Sequence, residues 1–251
     1  MPRERNEGVS LQREYYARTA ARYDELHDEE FEPGLEIVLE CLQRWEASSV
    51  LDVGTGTGRL VRELRARDPA MTLHGIDPVP ELLERAREDF GVPQESVSVA
   101  AGERLPFADG SWDAVCELGV LHHVPDPRLV VDEMLRVAAR IVVICDDNRF
   151  GVGALPRRMA KVALDRIGLL DAAARARHDG RSYRVSASDG VSYGFSVYDV
   201  LGRVKAWADE ILLYPVGGPR LGPLARWHRL GAPGIVLCAR RREGPVQPAH
   251  A

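Results

Sequence analysis

Residues 50–58 read Val-Leu-Asp-Val-Gly-Thr-Gly-Thr-Gly, and Asp77 closes a second apolar run, Met71–Ile76. An apolar strand (Val50, Leu51, Val53) that runs into glycines at alternate positions makes a turn where main chain can lie against a ligand, because no side chain stands in the way. An acidic residue closing the next strand, about two dozen positions later, can accept hydrogen bonds from both hydroxyls of a ribose. An adenosine-type cofactor follows. Spacing separates the candidates. A dinucleotide fingerprint, G-x-G-x-x-G, wants its third glycine where this chain has Arg59. Gly54, Gly56 and Gly58 spell G-x-G-x-G instead, behind Asp52, whose charge would repel a bound diphosphate. Asp52 suits a cation. S-adenosylmethionine (SAM) carries a sulfonium and an ammonium and no phosphate, so carboxylates around it are favourable.

Methyl transfer from a sulfonium is an in-line displacement. The enzyme has to hold donor and nucleophile collinear and dry, and such proximity can supply roughly 7 to 11 kcal/mol. No covalent nucleophile is required. A base for a hydroxyl or amine acceptor is available in His122 and His123, which close the fourth strand at the ligand end of the sheet. His123 is the first choice; the competing role for either is packing or bonding the loop. Asp146, Asp147 and Asn148 end the fifth strand, and with Glu117 they offer the oxygen ligands magnesium prefers, or else strand-end caps and acceptor hydrogen bonds.

These residues need a scaffold, and the chain supplies one. From Val50 the apolar pattern alternates strand and helix: Val50–Val53, Leu60–Arg67, Thr72–Ile76, Glu81–Asp89, Val97–Ala100, Asp113–Leu118, Arg128–Ala138, Ile141–Cys145. That alternation predicts a doubly wound parallel sheet with its ligand at the carboxyl ends of the first strands. Upstream, Leu11–Trp45 is amphipathic and is punctuated into two helices by Pro33-Gly34. Downstream the alternation stops. A helix is expected over Arg157–Leu170, with Met159, Val162, Ala163, Ile167 and Leu170 on one face and Arg158, Lys161 and Asp165 on the other, either as a packed lid helix or as a surface that meets a membrane or an anionic lipid acceptor, then a polar stretch before Val191–Val197. A further helix, Val197–Ala208, precedes strands Ile211–Val216 and Gly234–Ala239 across a Gly/Pro loop, 217–223. The expected organisation is an N-terminal helical cap (1–47), a SAM-binding core (48–148), a lid insert that binds the acceptor (149–196), the rest of the core (197–242) and a disordered tail (243–251). A chain of 251 residues suits one such catalytic domain.

Bulk properties narrow the partners. A net charge of −5 with mixed signs disfavours a nucleic-acid footprint. No apolar run reaches the length of a membrane span and the Arg/Glu-rich start lacks a signal peptide's apolar region, so a cytoplasmic protein is expected. Cys41, Cys116, Cys145 and Cys238 have no metal-ligand spacing and read as buried free thiols.

Four stretches carry a resemblance: VLDVGTGTG (50–58), GIDP (75–78), ERLPFADGSWDAV (103–115) and LGVLHHVPDP (118–127). In this order and spacing the chain resembles a class I SAM-dependent methyltransferase of the small-molecule, type 11-like subgroup. The resemblance implies a Rossmann-like seven-stranded sheet with its last strand antiparallel, N-terminal helices and a lid between strands 5 and 6. It implies cofactor contacts from Asp52, Gly54, Thr55, Gly56, Gly58, Asp77 and Pro78. To these it adds backbone near Gly102 and Glu103 for the adenine, and a carbonyl of Glu117 or Leu118 for the ammonium. Tyr15 and Tyr23 lie on a helix that folds over the cofactor in similar proteins. The family's usual adenine-binding aspartate is Ala101 here, so that contact falls to backbone or Glu103. Glu117, Asp147 and Asn148 also resemble the magnesium set of catechol-type enzymes, but the Leu-Pro-Phe and His-His motifs belong to a metal-independent group, and no metal is expected. The leading reading is methylation of a small molecule, on an oxygen of a specialised metabolite, sugar or lipid-like acceptor. An RNA or tRNA methyltransferase and a non-catalytic SAM-binding protein are the alternatives.

Overall fold

In a computed structural model that describes residues 2–27, 32–217 and 228–242, the central feature is a seven-stranded sheet. Its strands are β1 (Ser49–Val53), β2 (Thr72–Asp77), β3 (Val97–Val99), β4 (Trp112–Leu118), β5 (Ala138–Asp147), β8 (Glu210–Val216) and β9 (Gly234–Arg240), in the order β3-β2-β1-β4-β5-β9-β8. β1 to β5 are parallel, and β9 runs antiparallel to both β5 and β8. The five strands expected between Val50 and Cys145 all fall on this sheet, as does the closing antiparallel pair.

Both faces are covered, which is why the central strands read as nearly continuous apolar runs. Ile141, Val143 and Cys145 of β5 pack on one side with α3 (Glu32–Arg44), α4 (Arg59–Arg67) and α5 (Pro80–Glu88). Val142 and Ile144 pack on the other with α6 (Pro127–Val137) and α9 (Leu201–Trp207). Each such aliphatic, fully buried, contributes about 1.5 to 3 kcal/mol. All four cysteines are buried and free. Among the described residues no helix is long and apolar enough to cross a membrane.

The N-terminal part differs from expectation. α1 (Pro2–Thr19) leads through a short 3-10 turn into α2 (Tyr23–His27), and α3 then starts at Glu32, so Pro33-Gly34 lies inside a helix instead of breaking one. Proline in a first helical turn loses no hydrogen bond, since its missing N–H would be unpaired there anyway.

The insert also differs. In place of one helix over Arg157–Leu170 there are two, α7 (Leu155–Arg166) and α8 (Leu170–Arg177), separated at Gly168, whose φ of +71° suits a helix end. The polar stretch forms a hairpin, β6 (Tyr183–Ser186) with β7 (Gly190–Tyr193). No side chain of α7 or α8 is fully buried, and of the apolar face expected there Met159, Ala163 and Ile167 are exposed while Val162 and Leu170 are half-buried. The insert is stitched at its base: the buried Asn148 bridges Ser196, its Nδ2 donating to the Ala232 carbonyl at 2.8 Å and its Oδ1 accepting from Ser196 Oγ at 3.0 Å. Most of the predicted Gly/Pro loop and the tail 243–251 lie outside the described residues. Among the described residues the remaining α-helix is the short α10 (His228–Gly231).

Candidate active site

The glycine turn after β1 holds φ of +76°, +55° and +78° at Gly54, Gly56 and Gly58, values that glycine adopts without strain. A side chain at Gly54 would collide with Val120, its Cβ only 2.3 Å from Cγ2. The turn is tied down by the N–H groups of Gly54 and Thr55, which both donate to the Ile76 carbonyl at 2.8 Å. Asp77 Oδ2 accepts from Gly56 N at 3.0 Å and Oδ1 from Val79 N at 2.8 Å, so the carboxyl sits at the junction of the turn and α5. Asp52 lies below, accepting from Thr55 Oγ1 at 2.7 Å.

Above this turn is a cavity. Gly54, Asp77, Pro78, Val79 and Leu82 line one end, with Tyr23 close by. Ala101, Gly102, Glu103 and Val130 form the wall where an adenine is expected. Leu118, Gly119, Val120 and His123 line the far end, and Val9, Gln12, Arg13 and Tyr16 of α1 cover it. Asp52, Thr55, Gly56, Gly58 and Glu117 are not part of its lining, and a side chain at Gly56 would bring its Cβ to 3.4 Å from Tyr23 Oη.

The buried acids fit a cationic nucleoside. Burial pushes Asp52 up to about 7, the hydrogen bond from Thr55 opposing and the charge of Asp77 adding to the rise. Burial likewise pushes Asp77 up to about 6 against its two backbone hydrogen bonds. A ligand that brings positive charge and ribose hydroxyls favours the ionised acids, so its binding releases protons in this range. SAM affinity is therefore expected to rise from pH 5 to pH 8, by up to about tenfold per pH unit for each fully coupled carboxyl. Calorimetry in buffers of different ionisation enthalpy would register the released protons; a pH-independent affinity would refute this assignment. For the unliganded fold the sign is opposite. Stability from these two acids is present below about pH 4, the ordinary carboxylate range, and is lost as pH rises through about 6 to 7.

The two histidines are adjacent and do different things. His122 Nδ1 donates to Asp146 Oδ1 at 2.8 Å, and Asp146 Oδ2 accepts from Leu121 N at 2.7 Å. Burial alone would lower His122, but the charge and hydrogen bond of Asp146, helped by Asp147 and Asp189, outweigh it and raise the imidazole to about 10. His122 is thus an imidazolium at neutral pH and lies outside the cavity lining. His123 faces the cavity. Its Nδ1 lies 2.6 Å from the Val191 carbonyl and its Nε2 2.8 Å from Tyr16 Oη; in the tautomer with the proton on Nδ1, Nδ1 donates to Val191 and Nε2 accepts from Tyr16. Burial and the positive charge of His122 hold His123 below the usual histidine range, so it stays neutral.

Several of these partners were not foreseen. Tyr16, kept protonated by burial, is the tyrosine of α1 that reaches the cavity together with His123. Tyr15 instead turns toward the hairpin, its hydroxyl 3.4 Å from the Ala187 carbonyl. Gln12 Oε1 accepts from Val191 N, and its amide nitrogen lies 3.0 Å from His123 Nδ1. Asp189, on the turn of the hairpin, stands 3.4 Å from His123 Nε2 and 3.9 Å from His122 Nε2. Gln12 and Tyr16 are four apart on one helix face, the one signal of this cluster that the sequence carried. The cover over the cavity is therefore α1; the insert reaches the site through its hairpin, which braces α1 and His123.

The oxygen set Glu117, Asp147 and Asn148 does not converge on one open position. Asn148 is spent on its structural bonds, and Asp147 is exposed. Glu117 is buried, with Oε2 accepting from Val120 N at 3.0 Å, and burial beside Asp146 holds it well above the carboxylate range, as a neutral acid.

Comparison with known proteins gives a consistent picture. Residues 51–141 match the methyltransferase domain family. Over 91 residues the chain is 42% identical to a demethylmenaquinone methyltransferase of Deinococcus radiodurans, covering 35% of this chain and 37% of that one. Over 97 residues it is 35% identical to the ubiquinone/menaquinone biosynthesis C-methyltransferase UbiE of Geotalea uraniireducens, covering 37% and 41%. The match spans about two fifths of the length of these relatives. Among solved structures, a possible histamine N-methyltransferase of Thermotoga maritima superposes with a TM-score of 0.59 at 18% identity, over 91% of this chain and 99% of that one. The magnesium protoporphyrin IX methyltransferase of Synechocystis with bound SAH gives 0.58 at 15% identity, over 93% and 99%.

Proposed function

We propose that this chain, whose residues 51–141 match the methyltransferase domain family and whose fold is that of SAM-dependent methyltransferases, moves a methyl group from SAM to an ionisable oxygen of a small-molecule acceptor, with His123 as the base. The observation that carries the reading is the neutral His123, which lines the cavity with its Nδ1 bonded to Val191 and its Nε2 bonded to Tyr16, a second lining residue. SAM supplies an electrophilic methyl on a sulfonium that departs as a neutral thioether. The chain's residues do the rest. Asp77 would hold the ribose hydroxyls, the backbone of Gly54 to Gly56 would lie along the methionine portion, and Asp52 would offset the positive charge. Gly102, Glu103 and Pro78 would flank the adenine, and the main chain at Leu118 would meet the ammonium. At the far end His123 Nε2 takes the acceptor's proton, exchanging its bond from Tyr16 for one from the acceptor. The buried charge of His122 keeps His123 unprotonated beforehand, and α1 with Tyr16 and Gln12 excludes water.

A second reading is favoured by the names of the relatives, two of which act on quinone precursors, one as a C-methyltransferase. Removing a ring hydroxyl's proton raises the nucleophilicity of the adjacent carbon as well as of the oxygen, so the same base serves both. The test is the position of the methyl in the product, read by fragmentation mass spectrometry, with turnover measured beside a chelator. Oxygen methylation that persists in the chelator supports the proposal. A carbon-bound methyl would move the acceptor to the second reading, and activity lost to chelation and restored by magnesium would refute the histidine-based mechanism.

A further inference from the structure

α7 carries apolar side chains on more than one face: Val162 and Leu164 are half-buried, and a second stripe turns outward. Leu155, Met159 and Ala163 recur at intervals of four along the helix and all are exposed, whereas Arg158 and Lys161 turn toward the body. Arg158 Nη1 donates to the Leu230 carbonyl at 2.7 Å, and Lys161 Nζ donates to the carbonyls of Arg149 and Val152. Val152 before the helix and Ile167 and Leu169 after it extend the outward apolar stripe, with Met159 58% and Ile167 65% exposed. Five of the ten exposed large hydrophobics among the described residues lie in this one segment. A helix in water places its apolar stripe inward; this one offers it to something else.

The surrounding charge says what. Residues 149–181 carry eight Lys and Arg against three Asp, in a chain whose net charge is −5. Arg157 and Arg166 flank the stripe and are exposed. The cations crowd one another: after burial, the positive charges of Arg157, Arg158, Arg177 and Arg149 hold Lys161 below its usual value. Apolar side chains edged by uncompensated arginines match a bilayer whose headgroups are anionic, where the side chains enter the acyl boundary and the guanidinium groups meet phosphate. Nucleic acid would complement the arginines but leave Leu155, Met159 and Ile167 without a partner.

We propose that the α7 face, with Val152, Leu155, Met159, Ile167 and Leu169 edged by Arg157 and Arg166, seats this protein on the surface of an anionic lipid bilayer. None of these residues lines the cavity or supports the cofactor turn, so the surface is separable from the catalytic site. It is also independent of which acceptor is methylated.

The experiment is sedimentation of the full chain with vesicles of phosphatidylglycerol and phosphatidylcholine, beside vesicles of phosphatidylcholine alone. The wild type is expected to partition onto the anionic vesicles and much less onto the neutral ones. A Met159→Glu, Ile167→Glu double variant and an Arg157→Glu, Arg166→Glu double variant should each lose roughly tenfold or more in partition. SAM binding and circular dichroism, unchanged in both variants, would show that the fold is retained. The proposal is overturned if the wild type does not sediment with anionic vesicles or if the folded variants bind them as well as it does. It is equally overturned if light scattering shows a dimer that the Met159→Glu, Ile167→Glu variant dissolves, or if the chain shifts tRNA and not vesicles.

Discussion

Replacing His123 by alanine is expected to lower turnover by about 10²- to 10⁴-fold, the usual contribution of a positioned general base, while SAM still binds. The ring lines the end of the cavity away from Asp77, with Nδ1 bonded to Val191 and Nε2 bonded to Tyr16. Its removal leaves the glycine turn, Asp77 and their hydrogen bonds in place. The pH profile separates a base from a packing residue. Because burial and His122 keep His123 below the usual histidine value, wild-type activity should hold down through neutral pH and fall only on the acid side of the ordinary histidine range. An alanine variant with near-normal turnover would remove His123 from the mechanism.

Asp146→Ala is expected to cost about 3 to 5 kcal/mol of stability, the range for breaking one side of a buried ion pair. Asp146 is buried and accepts from His122 Nδ1 and Leu121 N; its loss strands both groups. The pH dependence gives the sign. His122 is raised to about 10 in the fold, so the stability it contributes is fully present below about pH 6.5, the ordinary histidine value, and is lost as pH rises through about 10. Urea denaturation of the wild type should therefore show stability declining between about pH 7 and 10, and the variant should lose this slope. Asp146→Ala also has a catalytic readout. With His122 no longer charged, His123 titrates higher, and the acid limb of the activity profile moves to higher pH. A variant of unchanged stability would show that His122 is neutral in the native protein.

The parts of the fold that were readable in the sequence are those fixed by local signals. β1 and β2 announced themselves as apolar runs ending in Gly54 and Asp77, and α4, α5 and α6 by helical spacing of Leu60, Leu64, Leu82, Leu83, Val130 and Met134. The geometry of the glycine turn and Asp77 followed, because strand end, turn and acid are near in sequence. The surroundings of His123 did not. Tyr16, Gln12, Asp189 and Val191 meet His123 across 66 to 111 positions of chain, or reach one another across still longer spans, and nothing local marks such meetings. The hairpin was missed because its strands are four residues each and alternate with polar side chains such as Arg184 and Ser192. The helix at Pro33 was misread because a proline signals a break only when it lies beyond the first turn. For α7 the spacing leaves both a packed and an outward apolar face open, because periodicity finds such a face but does not say whether it turns inward.

The account rests on transfer of the SAM methyl group to a small molecule, and one measurement addresses that directly. The purified chain is incubated with methyl-labelled SAM and a cell extract divided into small-molecule and RNA fractions, and the label is located by mass spectrometry. The expected result is label in a discrete small molecule, its appearance dependent on His123 and Asp77. Label confined to RNA, or SAM bound with no label transferred to any fraction, would contradict it.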